Sequence, residues 1–102
     1  MKLTRKPKSD ISTSEERLMY SMQLLGDKTR YKLFKLLMLN NKMCVSDIAA
    51  ELDISVSAVS QHFSKFEMVG LVDRQRMGQK ICYALKPGDQ LTEKLVTIIN
   101  KI

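Results

Sequence analysis

Apolar side chains recur with a helical period in five stretches of this chain and alternate in one more. Leu18, Met22 and Leu25 share one face of a helix predicted over 14–25, and Met19 broadens that face. Ser12 or Thr13 can cap it, Glu15 and Glu16 sit in its first turn where the helix dipole favours acids, and Gly26 ends it. Asp27 caps a second helix over 28–39, with Leu33, Leu36 and Leu37 as a core face widened by Tyr31 and Phe34. Asn40-Asn41 signals a turn, and Met43-Cys44-Val45 reads as a short extended segment. A short helix follows over 45–52, with Ser46 as its cap and Ile48, Ala49 and Leu52 pointing inward. After the tight turn Asp53-Ile54-Ser55, a longer helix over 56–69 is capped by Ser55 and carries Val59, Phe63 and Phe66 as a core stripe.

Gly70-Leu71-Val72 stops that helix and runs into a hairpin over 72–85. There Ile81, Tyr83 and Leu85 alternate with Lys80, Cys82 and Ala84, as in a half-buried strand. Pro87-Gly88 breaks the chain, and a last helix runs from about residue 90 to the end with Leu91, Leu95, Ile98 and Ile102 along one side. Val96 and Ile99 make it more apolar than a lone terminal helix can hide. The expectation is that it pairs with a second subunit, together with the Leu18, Met22 and Leu25 face. The alternative is that both faces cover their own domain.

A length of 102 residues supports one domain with a small core, here residues 14–102. Residues 1–13 lack apolar periodicity and carry Lys2, Arg5, Lys6 and Lys8 before any acid, which reads as a flexible basic arm. No apolar run reaches membrane-spanning length, and the basic start leads into a polar stretch instead of a signal peptide, so a cytoplasmic location and no membrane partner are expected. Seventeen basic against eleven acidic residues give a net charge of +6, which attracts a polyanion without saying which. Two cysteines are too few for a disulfide scaffold, and a cytoplasmic setting would keep them reduced. With one histidine, a conventional multi-histidine metal site within the chain is excluded, and no metal or cofactor is expected. An enzyme is not expected either: there is no nucleophile–base constellation, no carboxylate pair with a pocket and no Gly-rich phosphate loop.

The order short helix, tight turn, longer helix, glycine stop and basic hairpin is that of a winged helix-turn-helix, and the fold class read here is mainly α with a small β-wing, about five helices plus a β-hairpin. Its commonest use is to hold double-stranded DNA. Opposite the core stripe, the second helix of the pair presents Ser57, Ser60, Gln61, Ser64 and Lys65, short and polar enough to approach base edges. Ser57, Ser60 and Gln61 are expected nearest the bases, with Gln61 suited to reading an adenine because its amide both donates and accepts. Ser64 and Lys65 would grip phosphates, as would Thr29 or Arg30 if the start of the second helix faces the backbone. His62 either packs inward or reaches a phosphate. Arg74, Arg76, Gln79 and Lys80 cluster at the wing, where Gly78 allows the tight turn, and would lie along the backbone or in the minor groove. A solvated hairpin tip is the plainer account of that cluster. A homodimer would imply a roughly palindromic operator.

Three segments in order resemble the ArsR/SmtB family of winged-helix transcriptional repressors, over nearly all of residues 14–102. They are Leu25-Gly26-Asp27-Lys28-Thr29-Arg30 with the helix it opens, Ser57-Ala58-Val59-Ser60-Gln61-His62-Phe63, and Gly70-Leu71-Val72 with the hairpin to Leu85. The resemblance implies a homodimer that occupies an operator and blocks transcription until an inducer, unidentified here, releases it. Met43-Cys44-Val45-Ser46-Asp47 resembles the family's metalloid-binding segment, in which two cysteines flank a valine, but the second position is Ser46, a poor partner for thiophilic ions. The zinc-sensing relatives place aspartate and histidines along the last helix, whereas this one has Asp89, Glu93 and no histidine.

Cys44 and Cys82 leave one further option. The strand before a helix-turn-helix commonly pairs with the second wing strand, and if Val45 and Tyr83 point into the core, the two thiols would share the outer face. They would then form a disulfide on oxidation or hold a thiophilic ion with a third ligand; otherwise they are two small packing residues. The rival functions are therefore a thiol-redox or metalloid-responsive repressor switched through Cys44 and Cys82, and a winged-helix protein-interaction module that binds no DNA.

Overall fold

A computed structural model describes residues 10–102. The basic residues Lys2, Arg5, Lys6 and Lys8 of the expected arm lie outside the described residues. Eight elements follow in order: α1 (Thr13–Leu25), α2 (Lys28–Leu39), β1 (Met43–Cys44), α3 (Val45–Leu52), α4 (Val56–Met68), β2 (Val72–Met77), β3 (Lys80–Leu85) and α5 (Gln90–Asn100). The strands form one antiparallel sheet in the order β1-β3-β2. Five helices and this small sheet make the winged helix-turn-helix that the periodicity predicts.

Local chemistry sets most of the boundaries. The Ser12 hydroxyl accepts a hydrogen bond from the Glu15 amide while the Glu15 carboxylate accepts one from the Ser12 amide, a reciprocal capping box that starts α1. Asp27, Ser55 and Asp89 cap α2, α4 and α5 by accepting from Arg30, Ala58 and Thr92 amides. The helix-turn-helix bend is made by Asp53 at φ 55°, a left-handed conformation that a short polar side chain tolerates. One expected cap is corrected. Ser46 is exposed inside the first turn of α3, and the N-cap is Cys44, with no side-chain hydrogen bond. Val45 is helical and buried instead of extended, because its apolar side chain joins the core one residue before the polar signal.

The core is the convergence of α2, α3, α4 and the sheet. Leu33, Phe34, Ile48, Val59, Phe63, Phe66 and Leu71 are fully buried, with Val72, Tyr83 and Leu37 nearly so. Phe66 packs at 5.9 Å from Phe34 and 6.2 Å from Phe63, ring centre to ring centre. Phe63 stacks on Tyr83 of β3 at 4.7 Å with the planes 18° apart. Such aromatic pairs add to the burial they share. The alternation expected in β3 breaks at its middle. Cys82 and Tyr83 are both buried, so Cys82 does not lie on an open outer face. It sits on the central strand, opposite Cys44 on one side and Gln75 on the other, and is disulfide-bonded to Cys44. The β1–β3 pairing thus brings the two cysteines together, the arrangement that the paired-thiol alternative requires.

Away from the core, Arg17 of α1 reaches the end of α4 and the start of α5. Its Nε donates to the Val69 carbonyl at 2.6 Å, and its Nη2 donates to the Gly70 carbonyl at 3.0 Å and to Asp89 Oδ2 at 2.8 Å. Gly70 has φ +75°, and a Cβ there would stand 3.2 Å from Arg17 Nη2, so both conformation and space favour glycine.

Three stability measurements test this account. Phe66→Ala leaves a cavity between Phe34 and Phe63 and should cost about 3–5 kcal/mol, read as a lower urea midpoint at unchanged slope. Ser55→Ala removes the α4 cap and should cost about 1 kcal/mol by the same assay. The third concerns acid. The Arg17 hydrogen bond, aided by Thr92 and opposed by burial, holds the Asp89 carboxyl well below the usual carboxylate range. A carboxyl depressed in the folded state stabilises fully above its unfolded pKa, near about 3.9, and that contribution is lost as pH falls below it. Asp89→Asn should therefore be less stable than the parent at pH 7, with the gap narrowing steadily below about pH 4 in urea titrations.

Candidate nucleic-acid interface

The face of α4 turned away from its core stripe is polar and open. Ser57, Gln61, Ser64 and Lys65 are exposed, and Ser60 is half-buried. These residues follow from the helical period alone: Val59, Phe63 and Phe66 are drawn into the core, which turns the intervening positions outward. Ser55 fixes where the helix starts, and hence which residues occupy its leading turn.

The wing supplies the charge. β2 and β3 pair from Val72↔Leu85 to Met77↔Lys80, and Gly78 at φ +64° turns the chain between them. Arg74, Arg76, Gln79 and Lys80 are all exposed on this hairpin. Arg76 Nε donates to the Gly78 carbonyl at 3.3 Å, which lays its stem along the tip. Lys80 Nζ lies 3.9 Å from Asp47 Oδ1, a pair with both side chains mostly in solvent and therefore weak.

Tyr83 joins the two surfaces. Its ring stacks on Phe63 from beneath α4, and its hydroxyl lies near Ser64 of α4, Arg74 of β2 and Glu67. Burial pushes the phenol up, with Glu67 adding to the rise, while Arg74 and Ser64 pull the other way. The buried ring is thus a packing link between α4, which carries the polar face, and the strand that carries one side of the basic hairpin. No sequence period marks it for that role, because Tyr83 reads there simply as an inward strand residue.

His62 stands apart from Gln61. It is half-buried, its Nδ1 is buried with no hydrogen-bond partner among the described residues, and Arg30 and Asp27 at the start of α2 lie nearby. Burial pushes the imidazole down, Arg30 and Lys65 push it further, and Asp27 opposes them, so the surroundings favour the neutral ring. Arg30 is partly committed: its Nε donates to the Leu24 carbonyl at 2.8 Å and closes the end of α1. Thr29 beside it is half-buried.

The candidate dimer residues divide. Met22 is 52% exposed, Ile98 60% and Ile102 94%. Leu18, Leu91 and Ile98 line an open groove between α1 and α5. Leu25 and Leu91 pack in part against the chain's own core, and Leu95 is buried in it. The Arg17 cluster between α1, α4 and α5 has no precursor in the sequence reading. The one local signal is Asp89 three residues before Thr92, a cap pattern that gives no hint of a partner 72 residues away.

A family model described as "Bacterial regulatory protein, arsR family" matches residues 27–74. The cadmium resistance transcriptional regulatory protein CadC of Listeria innocua is 33% identical over 64 residues, which are 63% of this chain and 54% of CadC. The chain thus spans about half the length of that relative. Among solved structures, HlyU from Vibrio cholerae superposes with a TM-score of 0.77 at 19% identity, covering 89% of this chain and 96% of HlyU. The homodimeric winged helix-turn-helix DNA-binding domain of a possible ArsR-family transcriptional regulator from Mycobacterium bovis superposes at 0.74 with 18% identity, covering 94% of this chain and 87% of that one. These two likenesses concern the fold. The matched segment runs from the Asp27 cap of α2 through the whole helix-turn-helix to Arg74 on the wing, and over it the chain is similar to the arsR family of bacterial regulatory proteins.

Proposed function

We propose that this protein is a transcriptional regulator, a repressor in its basic action, that holds duplex DNA as a homodimer on a roughly palindromic operator. The observation that carries the reading is the exposed polar face of α4 set beside a basic hairpin, with Tyr83 tying one to the other. In this reading α4 enters the major groove, Gln61 with Ser57 and Ser60 reads base edges, and Ser64 and Lys65 hold phosphates. Arg74, Arg76, Gln79 and Lys80 track the backbone or the adjacent minor groove. His62 supports α4 against the start of α2. The second subunit covers the α1–α5 groove with its own copy, burying Leu18, Met22, Leu91, Ile98 and Ile102, and the two-fold axis gives the operator its symmetry.

The first test is binding to the DNA immediately upstream of the protein's own gene, against scrambled DNA, at two salt concentrations. Preference for the native segment that persists at physiological salt is expected. Weak binding, equal on both DNAs and erased by salt, would favour the interaction-module alternative. Arg76→Ala should weaken binding to every sequence and shallow the salt slope by about 1. Gln61→Ala should instead cost about 1–3 kcal/mol on the operator only and relax preference at one base pair. An identical uniform loss from both substitutions would dissolve the division between reading and gripping residues.

The Cys44–Cys82 bond favours a second reading, in which thiol oxidation adjusts operator affinity. Two thiols and one peroxide molecule give the disulfide and two waters. The bond ties the cap of α3 to the middle wing strand, so it fixes the helix-turn-helix against the wing before DNA arrives. Peroxide-treated protein should bind the operator several-fold more tightly than protein kept in dithiothreitol. Cys44→Ser and Cys82→Ser should each abolish the difference, and equal affinities for the two parent forms would end this reading.

A further inference from the structure

We infer that Arg17 is a positioning residue for DNA binding: it locks the end of the recognition helix α4 to the helix pair α1 and α5, and so fixes the recognition helix relative to the dimer axis. The inference rests on the DNA-binding reading above.

The geometry is a three-way junction at one guanidinium. A helix leaves its last carbonyls without intrahelical partners and with partial negative charge. Val69, the C-cap of α4, and Gly70 beyond it present such carbonyls, and Arg17 takes both with its planar fork. The same Nη2 meets Asp89, whose Oδ2 also accepts from the Thr92 amide at 3.0 Å and from the Thr92 hydroxyl at 2.7 Å. Asp89 is the N-cap of α5, so the start of one helix and the end of another are held by a single side chain. Thr92 is buried beneath the pair. On α1, the buried Ser21 hydroxyl donates back to the Arg17 carbonyl at 2.8 Å, which anchors the helix at that turn.

What surrounds the junction is loose by comparison. One side of Arg17 opens into a groove between α1 and α5, lined by Leu18, Leu91 and Ile98, and the other into a groove between α1 and the end of α4, lined by Tyr20, Met68 and Val69. Met68 and Tyr20 are exposed there, so the contact between α1 and the end of α4 is not a packed apolar seam. Among the described residues, no other α1 side chain hydrogen-bonds to α4 or α5. Leu24, Leu25 and Leu95 pack α1 and α5 against the shared core, and the directional hydrogen bonds of Arg17, set between two open grooves, add the constraint on the angle of α4's end against the α1–α5 pair. Two such angles, one per subunit, set the separation of the recognition helices and therefore the match to operator half-sites.

The test compares the full chain with Arg17→Gln and Arg17→Lys. Four quantities are measured: dimer dissociation by sedimentation, thermal melting, affinity for operator and for scrambled DNA at two salt concentrations, and the distance between nitroxides carried by an unnatural residue replacing Val56 at the start of each α4. Arg17→Gln should remain a folded dimer, lose roughly tenfold in operator affinity, keep its affinity for scrambled DNA and its salt slope, and show a broadened inter-nitroxide distance distribution. Arg17→Lys, which can keep the charge but not all three acceptors, should fall between. A salt slope shallower by about 1 would mean that Arg17 itself touches phosphate and would overturn the proposal. So would an unchanged distance distribution, a monomeric parent, or a loss of affinity matched by loss of the dimer. Should the parent show no operator preference, the DNA-binding reading fails, while the distance distribution still decides whether Arg17 holds α4.

Discussion

The burial of one side of α4 governs the rest of this molecule. Val59, Phe63 and Phe66 must face α2 and β3, and once they do, the rotation of the helix about its own axis, and with it the set of residues it presents outward, is fixed. A close-packed interior tolerates little rotation, since turning α4 by one residue would expose a phenylalanine and bury a glutamine or lysine. The precision of the proposed DNA surface is thus inherited from the core beneath it. Tyr83 extends that inheritance to the wing: its stack on Phe63 makes β3, and through β3 the whole hairpin, part of the same rigid unit.

Features that depend on neighbours a few residues away were legible from the chain. The helices over α1, α2, α4 and α5, the Ser12, Asp27 and Ser55 caps, and the hairpin turn at Gly78 all follow from periods and local side-chain chemistry. The start of α3 was misread for an instructive reason. Ser46 is a good cap by type, but Val45 gains more by entering the core than the helix gains from a hydroxyl cap, and Cys44 is left at the boundary. Tertiary packing outweighs a local preference of about 1 kcal/mol.

Features built from distant residues were not legible. Arg17 looks in the sequence like one more charge on an amphipathic helix, and its acceptors lie 52, 53 and 72 residues away. The pairing of Cys44 with Cys82 was anticipated from strand order, but the burial of Cys82 was not, because alternation assumes a sheet with one open face. For the candidate DNA surface, periodicity picked out the outward positions of α4, and the hairpin turn located the basic cluster. Neither could say that Tyr83 would stack on Phe63 and so join β3 to α4, because that contact is set by how a helix lies on a sheet.

Among the described residues, the strand order β1-β3-β2 leaves β2 at the rim of the sheet, with no strand paired to its outer side. An open rim of this kind invites other strands to add to it, and proteins commonly discourage that with charge. β2 carries Asp73, Arg74 and Arg76 within its six residues, and Arg74 and Arg76 are exposed. The arginines assigned above to the proposed nucleic-acid surface would therefore also keep copies of the free protein from zipping together edge to edge. Solubility and ligand grip are invested in the same side chains, so a wing redesigned for weaker binding would also be a wing more prone to aggregate.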